Sequence, residues 1–294
     1  MRFIFPFSLF VCLLFGSGCK PAKDISEHGP PKNFIRIKPD QFEMGNKKGH
    51  EDEQPVRLVH ITKPFYISDH EVTVLEFAEF VESTGYKTEV EQREGCYFWT
   101  GKKFVQEKDK NWKNPGFSQQ DDHPVVCVSW NDTQAFIEWK NQLHSNYQVR
   151  LCREAEWEYA AKGKSETPYF WGDETSKTCE YANGGDLEYR EKYPLFLAIK
   201  CNDGFANTGP VKSFQKNPFG LYDMSGNVLE WVQDWYGKYP DGEIDDPKGP
   251  FKGSRRVGRG GSWYNSADSL RSTHRVSNLP HVGGSIFGFR LCAD

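Results

Sequence analysis

The stretch Asp223-Met-Ser-Gly-Asn-Val-Leu-Glu230 sets a carboxylate at each end of a glycine turn. Calcium takes about six to eight oxygen ligands and accepts a mixture of carboxylate, amide and main-chain groups. A turn at Gly226 can aim main-chain carbonyls between Asp223 and Glu230. Asp, Gly and Asn are also the residues of an ordinary surface turn, so composition alone leaves both readings open. A different chemistry is conceivable at Arg259–Arg271, "RGGSWYNSADSLR". Ser262 follows a Gly-Gly turn, His274 and His281 lie close behind it, and Asp268 could orient an imidazole. Such a set can activate a serine, but only if the three side chains meet in space. Ser262 serves equally well as the cap of a tight turn and His274 as a surface or packing residue. The segment contains no Cys, His or Glu. The 8 histidines nowhere show an H-x-H or H-E-x-x-H ligand spacing.

The 8 cysteines divide by position. Cys12 and Cys19 belong to an N-terminal segment with the pattern of an export signal. Met1-Arg2 is a short positive region, and Phe3–Phe15 is an apolar run shorter than the ~20 residues of a membrane span. Gly16-Ser17-Gly18-Cys19 resembles the bacterial lipoprotein signal, with Gly16 where that pattern usually has Leu. The resemblance implies cleavage before Cys19, a lipid on its thiol, and a protein held in the bacterial cell envelope facing the periplasm or exterior. The plainer alternative is a cleaved signal peptide; both imply export. Residues 1–18 are then the signal and 19–32 a polar, Pro-rich tether. Cys96, Cys127, Cys152, Cys179, Cys201 and Cys292 remain. An even set in an exported chain implies disulfides. No C-x-x-C pair offers a structural zinc site.

The elements that must position these groups lie in residues 33–294. Lys+Arg number 37 against 41 Asp+Glu, for a net charge of −4. The charges are interspersed, so nothing here attracts nucleic acid. Ser254–Arg256 is a basic cluster too short to be more than a solvated loop. With 27 Gly, 17 Pro and 9 Trp, the core must rest on aromatic rings and turns rather than Leu-rich helices. Phe34–Met44 reads as a hairpin around Pro39-Asp40, and Arg57–Ile67 as a further strand or two. Thr73–Glu76 fits a capping box before a helix with Phe77, Phe80 and Val81 on one face, stopped at Gly85. Asn131 or Asp132 can cap a second helix with Phe136, Trp139 and Leu143 on its face. Glu154–Ala161 reads as a third helix closed by Gly163. Turn residues then dominate until a closing strand at Gly288–Cys292. No composition break divides the segment, so one α+β domain is expected.

Seven motifs occur in order: "FEMG" (Phe42–Gly45), "HEVT" (His70–Thr73), "HPVVCVSWND" (His123–Asp132), "EAEWEYAA" (Glu154–Ala161), "GLYDMSGNVLEW" (Gly220–Trp231), "RGGSW" and "GFR". Together they resemble the formylglycine-generating enzyme family, also called the sulfatase-modifying factor domain. The resemblance implies a loop-rich variant of the C-type lectin fold. It implies two calcium ions. One lies at Asp223, Gly226, Val228 and Glu230, with carbonyls from Gly226 and Val228. The other lies at Asn183, Gly184, Asp203 and Phe205, with carbonyls from Gly184 and Phe205. A Cys179–Cys201 disulfide would pin the two halves of that second site. Cys96 and Cys127 are expected to pair, since both lie by expected strands and relatives carry Cys in similar contexts. Cys152 and Cys292 pair only as what remains.

The family reaction oxidises a sulfatase cysteine to formylglycine with oxygen, at a cuprous ion held by two thiolates on the loop after Gly-Gly-Ser. Soft thiolates suit copper(I). The matching positions here are Asn265 and Leu270, and Ser262 is retained. Copper is therefore not expected. The expectation is a calcium-stabilised, lipid-anchored accessory or binding protein for a protein, peptide or glycan of the envelope. The alternative is a copper-dependent formylglycine-generating oxidoreductase.

Overall fold

Phe34–Ile37 and Asp40–Met44 are both strands, but they do not pair with each other as a hairpin. In the computed structural model, which describes residues 33–143, 146–193 and 198–294, the chain changes sheets between them. Phe34–Ile37 pairs antiparallel with Phe65–Ser68. Leu291–Ala293 lies beyond that strand, and Val149–Leu151 completes the sheet. Asp40–Met44 pairs instead with Arg57–Ile61. Pro39 between them has no N–H to give to a ladder. Crossing over lets Ile37 and Met44 reach one core together with Val59, Ile67 and Trp157. The export signal, Cys19 and the tether lie outside the described residues.

The helix expectations hold in part. Val74–Thr84 starts at Thr73, whose hydroxyl accepts from the Glu76 N–H at 3.2 Å, and ends at Gly85 with φ 66°. Phe77 and Phe80 bury their rings against Trp112, Phe136 and Trp139. The second helix, Trp130–Leu143, begins earlier than expected. Ser129 is its cap: its hydroxyl accepts from the Asp132 N–H at 3.1 Å, and Asp132 accepts from the Ser129 N–H at 2.8 Å. Leu143 is 57% exposed, so it is not part of the buried face. The third helix, Glu154–Lys162, closes at Gly163 in the left-handed region. Its residues Glu154–Ala161 are all buried. Its acidic side chains are paired: Arg275 binds Glu154 at 2.8 Å, Arg150 binds Glu156 at 2.7 Å, and Arg259 binds Glu158.

The expected closing strand is two strands. Phe287–Phe289 runs parallel to Leu229–Trp235, while Leu291–Ala293 joins the N-terminal sheet. Arg290 sits at the switch, buried. In the second half, Arg256–Arg259 lies between Leu229–Trp235 and Arg275–Asn278. Three disulfides, Cys96–Cys127, Cys152–Cys292 and Cys179–Cys201, use all six cysteines among the described residues. No helix among those residues is long and apolar enough to cross a membrane.

Candidate functional site

Three loops distant in sequence lie side by side. Asn183 forms a parallel bridge with Gly226, and the Asn227 N–H donates to the Asn183 carbonyl at 2.9 Å. The Gly226 N–H reaches the Gly260 carbonyl at 2.8 Å, and the Trp263 N–H reaches that of Asn227 at 2.9 Å. The contact depends on glycine. At Gly226 φ is 81°, and a Cβ there would come within 2.0 Å of the Asn183 carbonyl oxygen. Asp223 and Asn227, each at φ 55°, are of the residue types that enter this region most readily after glycine. The two oxygen clusters and the Gly-Gly-Ser loop thus form one neighbourhood.

In the downstream cluster, Glu230 is already occupied. Arg290 donates from Nε to Oε2 and from Nη2 to Oε1, both at 2.7 Å, and the Trp157 indole N–H adds a third bond to Oε2 at 2.7 Å. Glu230 and Arg290 form a buried, charge-neutral pair. Asp223 is different. Its Oδ2 accepts only the Lys212 N–H, at 2.7 Å, while Oδ1 is buried without a partner among the described residues. Burial pushes this carboxyl up to about 6. Beside it lies Glu71 of the "HEVT" motif, to which sequence reasoning assigned no role. Glu71 is fully buried, and neither of its carboxylate oxygens has a partner among the described residues. Burial first, and the Asp223 charge next, hold its pKa well above the carboxylate range.

The upstream cluster also leaves charge uncompensated. Asp203 accepts the Gly184 N–H at 3.0 Å and the Phe205 N–H at 2.8 Å. Burial and the neighbouring Asp186 push its carboxyl up to about 7. Asp186, also missed in the sequence, is fully buried, accepts the Tyr189 N–H at 3.0 Å and is raised by burial too. The Asn183 side-chain oxygen is buried and has no hydrogen-bond partner among the described residues. The Cys179–Cys201 disulfide closes the neighbourhood, and the Cys179 sulfur lies 3.7 Å from Asp186 Oδ2. Orphaned oxygens and buried like charges are what a hard cation relieves, so both donor sets fit calcium. The ion would supply the missing positive charge.

The Gly-Gly-Ser loop is filled by its own side chains. Ser262, fully buried, donates to Asn265 Oδ1 at 2.8 Å, and the Asn265 N–H returns to the Ser262 carbonyl at 2.8 Å. Leu270 is wholly buried in an apolar cluster with Tyr169, Ala182 and Ile199. It sits so close to the backbone that a Cβ on Gly184 or Gly261 would come within 2.8 or 2.6 Å of its methyl carbons. Asn265 and Leu270 give no soft donor, so this pair does not fit copper(I). No serine triad forms among the described residues either. Asp268 binds His50 and Arg271, both at 3.0 Å. His274 packs against His50 and is held down to about 4 by burial. His50, Glu53 and His274 lie together, but Glu53 is taken by Arg271 and Thr273.

The lectin-like α+β scaffold has a solved counterpart. PvdO from Pseudomonas aeruginosa superposes with a TM-score of 0.73 at 27% identity, covering 89% of this chain and 94% of its own. The sulfatase-modifying factor enzyme 1-like domain model matches residues 21–294. The chain is 33% identical to the formylglycine-generating enzyme of Streptomyces coelicolor, covering 88% of each. It is 32% identical to the inactive C-alpha-formylglycine-generating enzyme 2 of Bos taurus, covering 91% of this chain and 89% of the relative. The chain belongs to the sulfatase-modifying factor family.

Proposed function

We propose that this protein is a non-catalytic member of its family: exported, lipid-anchored through Cys19, stabilised by calcium, and serving as a binding or accessory protein. The observation that carries the reading is Leu270, an apolar side chain packed between Gly184 and Gly261 where the family chemistry needs a thiolate. Asn265, at the other thiolate position, is tied to Ser262. The remaining cysteines of the domain are held in disulfides, which leaves no thiol to stand in for the pair. A relative described as inactive, matching over nearly the whole chain, supports the same view. The orphaned oxygens of Asp223, Glu71 and Asn183 support calcium, whose contribution is structural in this reading. The partner is a protein, peptide or glycan of the cell envelope, held by the loop-rich surface.

The test uses purified protein with copper(I), oxygen, a reductant and a peptide carrying the Cys-x-Pro-x-Arg target of the family. Mass spectrometry is expected to find no aldehyde product above a copper-only control, and turnover above that control would overturn the proposal. An Asn265→Cys/Leu270→Cys variant is expected to bind copper(I) more tightly than the wild type.

A further inference from the structure

We infer that the cavity beneath the 237–250 loop is a binding site for a small carboxylate with an apolar body, and that Arg57 is the residue that holds the carboxylate. The inference goes beyond the calcium reading, since none of the lining residues belongs to the two oxygen clusters. It starts from a buried cation without a counter-charge. Arg57 is 6% exposed, yet no acidic side chain among the described residues is paired with it. Its Nη2 reaches only the Met44 sulfur, at 3.6 Å, and its Nε is buried without a partner among those residues. A thioether is a weak acceptor, and a buried charge is tolerated only when it is paired. The other buried arginines nearby are answered: Arg275 binds Glu154 at 2.8 Å, and Arg259 binds Glu158. Both the Arg57 and Arg275 guanidinium groups lie over the Tyr239 ring, at 4.6 and 4.2 Å from its centroid. Two cations thus share one ring and one carboxylate.

The two other acidic groups of the site are occupied. Glu154 takes both Arg275 nitrogens and the Tyr239 hydroxyl, at 2.8, 2.8 and 3.1 Å. Asp234 accepts the Glu154 N–H at 2.8 Å, and burial, then the Glu154 charge, push its carboxyl up to about 7. It therefore holds a proton through mildly acidic pH and leaves Arg57 uncompensated. The cavity that Arg57 lines is about 190 Å³. That is below the roughly 300 Å³ at which pockets for drug-sized ligands begin, so it admits a small molecule or one terminal group. Ala155, Ile244, Pro247 and Pro250 give it apolar walls, and the exposed Lys238 and Lys248 stand among its lining. The planar fork of an arginine matches a carboxylate. The walls favour a carboxylate on a short hydrocarbon body over sulfate or phosphate, which carry none.

The experiment titrates the full chain with isobutyrate and with isobutyramide, its neutral counterpart, and follows melting temperature and ligand-observed magnetic resonance. Isobutyrate is expected to bind saturably and raise the melting temperature; isobutyramide is not. Arg57→Met, which keeps length and apolar packing, should weaken isobutyrate binding by about tenfold or more, because it removes the buried partner of the charge. Arg57→Lys keeps the charge without the fork and should fall between. Should Arg57→Met not fold, the exposed Lys248→Glu tests the same field and should weaken binding about two- to fivefold. A peptide ending in valine, as free acid and as amide, identifies the source of the carboxylate. Tighter binding of the free acid than of isobutyrate assigns the site to peptide ends, and weaker binding assigns it to free small acids. Equal effects of isobutyrate and isobutyramide, or isobutyrate binding untouched by either an Arg57→Met variant that folds or Lys248→Glu, would overturn the inference and leave the calcium reading standing.

Discussion

Asp203 offers a test in which the sign of an effect carries the information. In the fold its carboxyl ionises at about 7, against an ordinary 3.8. Without a cation, the folded chain therefore holds a proton that the unfolded chain releases between those two values. Stability then falls as pH rises, and it is recovered on acidification. Between about pH 5.5 and pH 8 this carboxyl changes stability by about 2 kcal/mol. For a domain of this size that is on the order of 5 °C in melting temperature. A bound calcium ion needs the carboxylate ionised, so its contribution runs the other way and fades as pH falls. Two histidines oppose the first effect. His274, held down to about 4, and His123, also lowered, are both depressed by burial. They take up protons on unfolding and cost stability below about pH 6.5. Comparison with Asp203→Asn cancels them. The variant keeps at most one of the two backbone hydrogen bonds that Asp203 accepts, so the slope is the readout and absolute stability is not. The assay is thermal unfolding followed by circular dichroism across that pH range, in chelator and in excess calcium. In chelator, the wild type should gain on the variant as pH falls; in calcium it should lose ground. A flat difference in chelator, or the same sign in both conditions, would refute the reasoning.

Arg290→Met is expected to destabilise the domain by about 3–5 kcal/mol in denaturant unfolding, because it leaves Glu230 buried and unpaired. Adding Glu230→Gln should recover part of that loss, and a purely additive pair would contradict the buried ion pair. Peptide mapping without reductant should recover Cys179 and Cys201 in one linked species. Replacing both with Ser should cost about 3 kcal/mol, the chain-entropy value for a loop with a separation of 22 residues, and should weaken calcium binding at Asp203.

Sequence alone determined what depends on local chemistry or on residue identity. Thr73 and Glu76 cap their helix, and Gly85 and Gly163 end theirs, because each signal acts within a turn of backbone. Ordered motifs were enough to place the chain in its family, and the absence of sulfur at Asn265 and Leu270 needed no coordinates. Tertiary structure decided everything that rests on contacts between distant segments. It separated Phe34–Ile37 from Asp40–Met44 and split the last strand at Arg290, since a strand's partner is chosen by the sheet it enters. It made the helix Glu154–Lys162 a buried one, because the arginines that neutralise its glutamates come from Arg150, Arg259 and Arg275. It also showed that Glu230 is committed to Arg290 while Glu71, 152 positions before Asp223, is a buried carboxylate without a partner among the described residues. Spacing along a chain records which donors a loop contains. Whether a donor is free depends on which other side chain arrives beside it, and that is fixed only when the chain folds.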